Sequence, residues 1–288
     1  NLNTMKPIFI QFRQHKSLFV MLTLLVMNSC DSFVDVDLPK SQLTSQTVFE
    51  DFATADAALT DVYAKIRDKG MLTGTNSGLS NELGNYADEL EPYGPASNPS
   101  VVFFKNIILP STPDIAEYWN SGYNQIYAVN SIIEGVNQST HLSSTQKKQL
   151  QGEALFIRGL IHFYLLNLYG DIPYIKETDY RKNSIVTRMP DNEVYQDIIT
   201  DVKNAADMLQ ENYNSEQRVR PNRYTAKALL SRIYLYSGDY QGAEQEASSI
   251  LNQSQLYILT ADLDQVFLIG SQETIWQLQA NADGQNSQ

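Results

Sequence analysis

A single cysteine, Cys30, in 288 residues excludes an intramolecular disulfide framework and leaves an unpaired thiol that needs another explanation. Histidine is nearly as scarce, at three, which leaves little material for a catalytic zinc site with its three protein ligands. Positive charge is short as well: 21 Lys and Arg against 33 Asp and Glu give a net charge of −12. That balance repels a phosphate backbone, and no basic block or RNA-binding signature offsets it, so no nucleic acid partner is expected. No G-x-S-x-G nucleophile elbow and no phosphate-cradling glycine loop occurs. The apolar run from Leu18 to Met27 is about ten residues, half of what a membrane-spanning helix requires.

What is present is a globular composition, 42% hydrophobic and 19% charged, in a chain long enough for one large or two ordinary domains. Tyrosine stands out at 17. Its ring and hydroxyl suit half-buried helix packing and flat contact surfaces alike.

The N-terminus reads as an address. Met5 is taken as the true start, because the basic residues Lys6, Arg13, His15 and Lys16 precede the short apolar run, the order of an export signal over residues 1–29. Met27-Asn28-Ser29-Cys30 follows and resembles a bacterial lipobox, with Met27 and Asn28 in place of the usual Leu and small residue. Cys30 is the expected lipid attachment site, against the alternative of an ordinary cleaved signal with a chance cysteine. Residues 30–46, with Asp31, Asp35 and Asp37, read as a solvated acidic leader, because no Ca²⁺ loop geometry accompanies them.

From residue 47 to 288 the pattern has period 3.6 and no alternating strand, so the fold class is mostly α. Thr47 and Glu50 make a capping box for a first helix through Leu59, Val62 and Ile66 to Gly70. A long non-helical stretch at 70–113, rich in Gly, Asn and Pro, far exceeds a connector and must be functional or separately folded. A helix over 114–138 is expected to bury Ile115, Trp119, Tyr123, Ile126, Asn130 and Ile133. Ser143 with Gln146 opens an apolar helix to Leu168, stopped by Gly170 and Pro173. A helix over 191–210 turns Val194, Ile198, Val202, Ala205 and Leu209 inward. Residues 223–252 place Leu230, Tyr234, Gly238, Ala243 and Ala247 at tetratricopeptide spacing, with Lys227 and Ser231 at the usual Trp and Gly positions, so the spacing gives one divergent repeat that needs the earlier helix pairs as stacked neighbours.

The run Glu153-Ala154-Leu155-Phe156-Ile157-Arg158-Gly159, continued by Phe163-Tyr164-Leu165 and Leu168-Tyr169-Gly170-Asp171-Ile172-Pro173, resembles the central signature of SusD/RagB proteins. Trp119 to Asn130, the 223–252 repeat and Glu273-Thr274-Ile275-Trp276 fall in the family's order. The resemblance implies a tetratricopeptide-like helical repeat scaffold with long ligand-binding loops, in a cell-surface lipoprotein of the outer membrane, facing outward. It would bind an oligosaccharide or other nutrient and deliver it to a SusC-like TonB-dependent transporter, without catalysis or cofactors. It also implies a further C-terminal half that the 288 residues do not contain.

Asp88, Glu89 and Glu91 cluster in the long loop, and paired carboxylates are the apparatus of a glycoside hydrolase, but closeness in sequence does not set their separation across a sugar. A protein-interaction scaffold is the other alternative. His162, on an apolar helix, reads as a core or interface residue. Tyr86, Asp88, Tyr93 and Asn98 are the expected ligand contacts, rings and short polar groups suited to the C–H faces and hydroxyls of a sugar, while Phe103 and Phe104 read as anchors of the loop.

Overall fold

A computed structural model describes residues 45–95, 98–215 and 217–280. Cys30, the export signal and nearly all of the leader lie outside them. In chain order the helices are α1 (Ser45–Val48), α2 (Phe52–Asp68), α3 (Leu79–Tyr86), α4 (Ser100–Phe104), α5 (Pro113–Gln138), α6 (Ser144–Tyr169), α7 (Tyr180–Asn183), α8 (Asp191–Met208), α9 (Arg223–Ser237) and α10 (Tyr240–Leu251). Among the described residues there is no strand, only an isolated antiparallel bridge between Ile172 and Met189. The mostly α expectation holds.

Local chemistry sets the helix ends. Ser143 accepts from the Gln146 amide and Gln146 accepts from the Ser143 amide, the expected capping box. Asn222 and Thr225 make a second box for α9. The first helix departs from expectation. Its cap is Asp51, whose carboxylate accepts from the Ala53 and Thr54 amides, and the segment around Thr47 forms the separate short α1. Asp51 immediately precedes α2, so its side chain meets the free amides of that helix's first turn.

The helices pack in succession: α2 against α5, α5 against α6, α6 against α8, α8 against α9, and α9 against α10. The central α6 is enclosed on most sides and buries Leu150, Phe156, Ile157, Ile161 and Leu165. Gly159 lets α8 approach: a Cβ there would lie 2.5 Å from Val202 Cγ2. Val194, Ile198, Val202, Ala205 and Leu209 are all buried, as the periodicity predicts.

The buried stripe of α5 is rotated from the expected one. Tyr118, Ser121, Gly122, Gln125, Ile126, Val129, Asn130, Ile132 and Val136 are buried, while Ile115, Trp119, Tyr123 and Ile133 are half-buried. Gln125 turns inward because its Nε2 donates to the Lys65 and Lys69 carbonyls at the end of α2; the Lys65 carbonyl also accepts from the Lys69 amide, so the Lys69 carbonyl is the one that gains most from the amide. An apolar periodicity does not register such a polar residue.

Residues 223–252 fold as the expected helical hairpin around Gly238 at φ +85°. Leu230 and Ala243 are buried, but Tyr234 and Ala247 are only half-buried, and the Tyr234 ring lies against Gly242, where a Cβ would meet its Cδ2 at 3.0 Å.

Candidate functional site

The stretch from Gly70 to Thr112 is not uniformly irregular, contrary to the expected non-helical segment: α3 and α4 stand inside it. Both helices are short: α3 is mostly polar, and α4, though apolar, is too brief to show a helical period. Asn81 Nδ2 donates to Ser100 Oγ at 2.8 Å and to the Asn76 carbonyl at 2.6 Å, tying the start of α4 to α3. Tyr118 of α5 donates to the Ser77 carbonyl at 2.8 Å, fixing the base of the loop to the helical scaffold. Phe103 is buried, the anchoring role read from sequence, and Phe104 is half-buried.

From this base residues 86–95 run along the surface, nearly all of them exposed. Tyr86 and Tyr93 are exposed, Tyr93 at 101% of its reference area. Asp88, Glu89 and Glu91 are exposed as well. Asp88 has a backbone role: at φ +59° it closes α3, its amide bonding the Asn85 carbonyl at 3.4 Å while the Glu89 amide bonds the Gly84 carbonyl at 2.9 Å. This is a Schellman closure, with Asp in the left-handed position that Gly or Asn usually fills. Asn98 is half-buried, and its Oδ1 accepts from the Ser100 amide at 3.1 Å, one turn before α4. The four expected ligand contacts therefore lie from the end of α3 to the start of α4: two rings and a carboxylate are exposed, and one amide is engaged at the entry to α4.

The sequence reading passed over two other concave regions. A groove of about 300 Å³ runs from Leu79 and Ser80 at the start of α3 to Leu160, Tyr164 and Trp276. Its one advance signal was Trp276 in the Glu273-to-Trp276 run. Trp276 is fixed by Nε1 donating to the Val219 carbonyl at 3.1 Å and by an edge-to-face contact with Phe156 at 5.3 Å. A polar groove of about 480 Å³ lies beside α5 between Glu50, Tyr127, Glu134 and His141. Among the described residues no cluster of three or more His, Cys, Asp or Glu is placed to hold a metal ion.

Residues 33–235 match the profile of a family described as starch-binding and associating with the outer membrane. The chain belongs to the SusD/RagB family. A SusD-like protein of Formosa agariphila is 29% identical over 162 residues, covering 56% of this chain and 32% of the relative. A second from the same organism is 22% identical over 260 residues, covering 87% and 49%. The chain thus spans between about a third and a half of the length of these curated relatives. A SusD superfamily protein of Bacteroides vulgatus superposes with a TM-score of 0.70 at 21% identity, covering 80% of this chain and 50% of that one. A laminarin-binding SusD-like protein gives 0.64 at 23%, covering 74% and 47%. At these identities the structural likeness speaks for the fold.

The SusD signature residues turn out to build the scaffold. Arg158, buried in α6, forks onto Asp201 of α8 at 2.6 and 2.8 Å and donates to Asn130 of α5 at 2.8 Å. Asn130 in turn donates to the Ile175 carbonyl at 3.0 Å, and Tyr174 donates to Asp201. Glu153 takes Arg220 and Tyr63, each at 2.6 Å. His162 is fully buried, stacked on Tyr174 at 3.9 Å, with Nδ1 at 2.9 Å from the Arg158 carbonyl and Nε2 accepting from the Ile175 amide at 3.3 Å. Burial drives its pKa down to about 3, so the ring is a neutral core residue.

Proposed function

We propose that the full-length protein is a cell-surface lipoprotein, anchored through Cys30 in the outer membrane, that binds a glycan without turning it over and delivers it to a SusC-like TonB-dependent transporter. The observation that carries this reading is the family match over residues 33–235. The loop supplies chemistry of the right kind: Tyr86 and Tyr93 offer faces for sugar C–H groups, and Asp88 and Asn98 offer short hydrogen-bonding groups. The laminarin-binding neighbour makes a β-glucan a sensible first ligand to try.

Calorimetry on the full-length protein with a panel of laminari- and malto-oligosaccharides tests it. Tyr93→Ala is expected to weaken binding at least tenfold, about 1.4 kcal/mol. At Asp88 the informative change is Asp88→Gly, because Gly accepts φ +59° freely whereas Ala would add strain of its own. Binding as tight as the parent's in both folded variants would refute the assignment of this loop. Release of reducing sugar by the purified protein would refute binding without turnover.

A further inference from the structure

The polar groove of about 480 Å³ beside α5 is built from parts that the proposed ligand loop does not use. Its volume falls within the range of small-molecule sites, roughly 300 to 1,000 Å³. None of the described residues between Gly70 and Thr112 lines it. It also lies further along α5 than Tyr118, where that stretch is tied down. At roughly 1.5 Å per residue, Tyr127 and Gln138 stand about 14 and 30 Å beyond Tyr118 along the helix.

One wall of the groove is a single face of α5. Tyr127, Ser131, Glu134 and Gln138 follow one another at steps of four, three and four residues, the spacing that aligns side chains on a helix. Phe49 is buried against the same helix, its ring seated where a Cβ on Gly135 would stand, so the glycine lets this ring close the groove. Glu50, the α5–α6 connection at Thr140 and His141, and Thr178 beyond α6 complete the lining.

The chemistry of this lining suits a sugar. Tyr127 is 56% exposed and meets no other ring or cation among the described residues, so its face is open to C–H groups. The side chains of Glu50, Tyr127, Ser131 and Gln138 make no hydrogen bond or ion pair to any described residue, which leaves hydroxyl, amide and carboxyl groups unspent around the ring. Glu134 is held in place without being used up. The Thr178 amide and hydroxyl donate to its two oxygens at 2.8 and 2.6 Å, and a carboxylate has about four acceptor sites, so about two remain on a group of fixed orientation. The charge of the groove narrows the class. Glu50 and Glu134 line it and, among the described residues, no Lys or Arg does, so a sulfated or uronic sugar would meet like charge.

We propose that this groove is a second glycan subsite, separate from the loop that carries Tyr93, and that it takes an uncharged oligosaccharide with Tyr127 as the stacking ring and Glu134 and Gln138 as hydroxyl partners. The proposal rests on the glycan-binding reading above and names a second place, and a charge class, for the ligand.

Calorimetry on the full-length protein with laminarihexaose and maltohexaose, set against an oligogalacturonide of the same length, tests it. A neutral hexasaccharide should fill two sites on the parent. Tyr127→Ala, at an exposed position that the core does not need, should weaken one of them at least tenfold, and Tyr93→Ala should weaken the other. Glu134→Gln, which keeps an acceptor for the Thr178 amide, should weaken the same site as Tyr127→Ala. The oligogalacturonide should bind that site at least tenfold more weakly than the neutral sugar. Parent-like binding at both sites in Tyr127→Ala, with Tyr93→Ala impaired, overturns the subsite and leaves the proposed function standing. A single site lost in Tyr127→Ala and kept in Tyr93→Ala supports the groove and overturns the loop. Oligogalacturonide binding as tight as the neutral sugar's, and lost in Tyr127→Ala, overturns the uncharged class. If the parent binds neither hexasaccharide, the subsite and the glycan-binding reading fall together.

Discussion

Single residues in this chain divide by where their hydrogen bonds go. Arg158 and Asp201 are each less than a tenth exposed, and their two-pronged bond links α6 to α8 while Tyr174 and Asn130 take up the remaining capacity. A buried pair of this kind adds little over an apolar substitute but is expensive to break on one side. Asp201→Ala should therefore cost about 3 to 5 kcal/mol, read by urea unfolding, because it strands a guanidinium. A loss under about 1 kcal/mol would mean that water reaches Arg158 and that the network is not sealed. The motif around Arg158 was visible in the sequence as a family signature, but its role was not. Arg158 and Asp201 are 43 positions apart, and nothing local marks them as partners. Asp88 shows the opposite failure: its side chain was read as a contact candidate, and its left-handed backbone, set by the amides of Asp88 and Glu89, could be seen only in three dimensions.

At the scale of elements, the long helices were readable and the short ones within residues 70–113 were not. The helix α6, apolar along its length, and the α9–α10 hairpin carry a capping box or a Gly turn at their ends, so sequence placed them within a residue or two. The helices α3 and α4 are short, and α3 holds its burial in Glu82 and Asn85 as much as in Leu79, a pattern no hydrophobic template matches. The hairpin gives the sharper test. A fully buried aromatic cut back to alanine costs about 3 to 5 kcal/mol, but Tyr234 is half-buried against Gly242, so Tyr234→Ala should cost about 1 to 2 kcal/mol. Thermal or urea unfolding of the folded variant measures it. A change below about 0.5 kcal/mol would place the ring among ordinary surface residues and detach α10 from the repeat.

For the whole molecule the decisive question is attachment, because a capture protein with the proposed role of handing ligand to a membrane channel would gain most from being held beside it. Confinement to the same surface replaces a bimolecular encounter with an effective concentration that reaches the millimolar range for short tethers. Cys30 is the only cysteine and follows a short apolar run with basic residues ahead of it, which is where such a tether would be made. Changing Cys30→Ala in the full-length protein should move it from the membrane fraction to the soluble one and abolish labelling by a radioactive fatty acid. Its affinity for glycan in solution should stay that of the parent, since the proposed ligand loop lies beyond residue 70, whereas growth on that glycan at low concentration should fail. That combination separates the anchor from the binding site. Undiminished fatty-acid labelling of Cys30→Ala would place the lipid elsewhere, and growth equal to the parent's despite release from the membrane would show that capture does not depend on proximity to the channel.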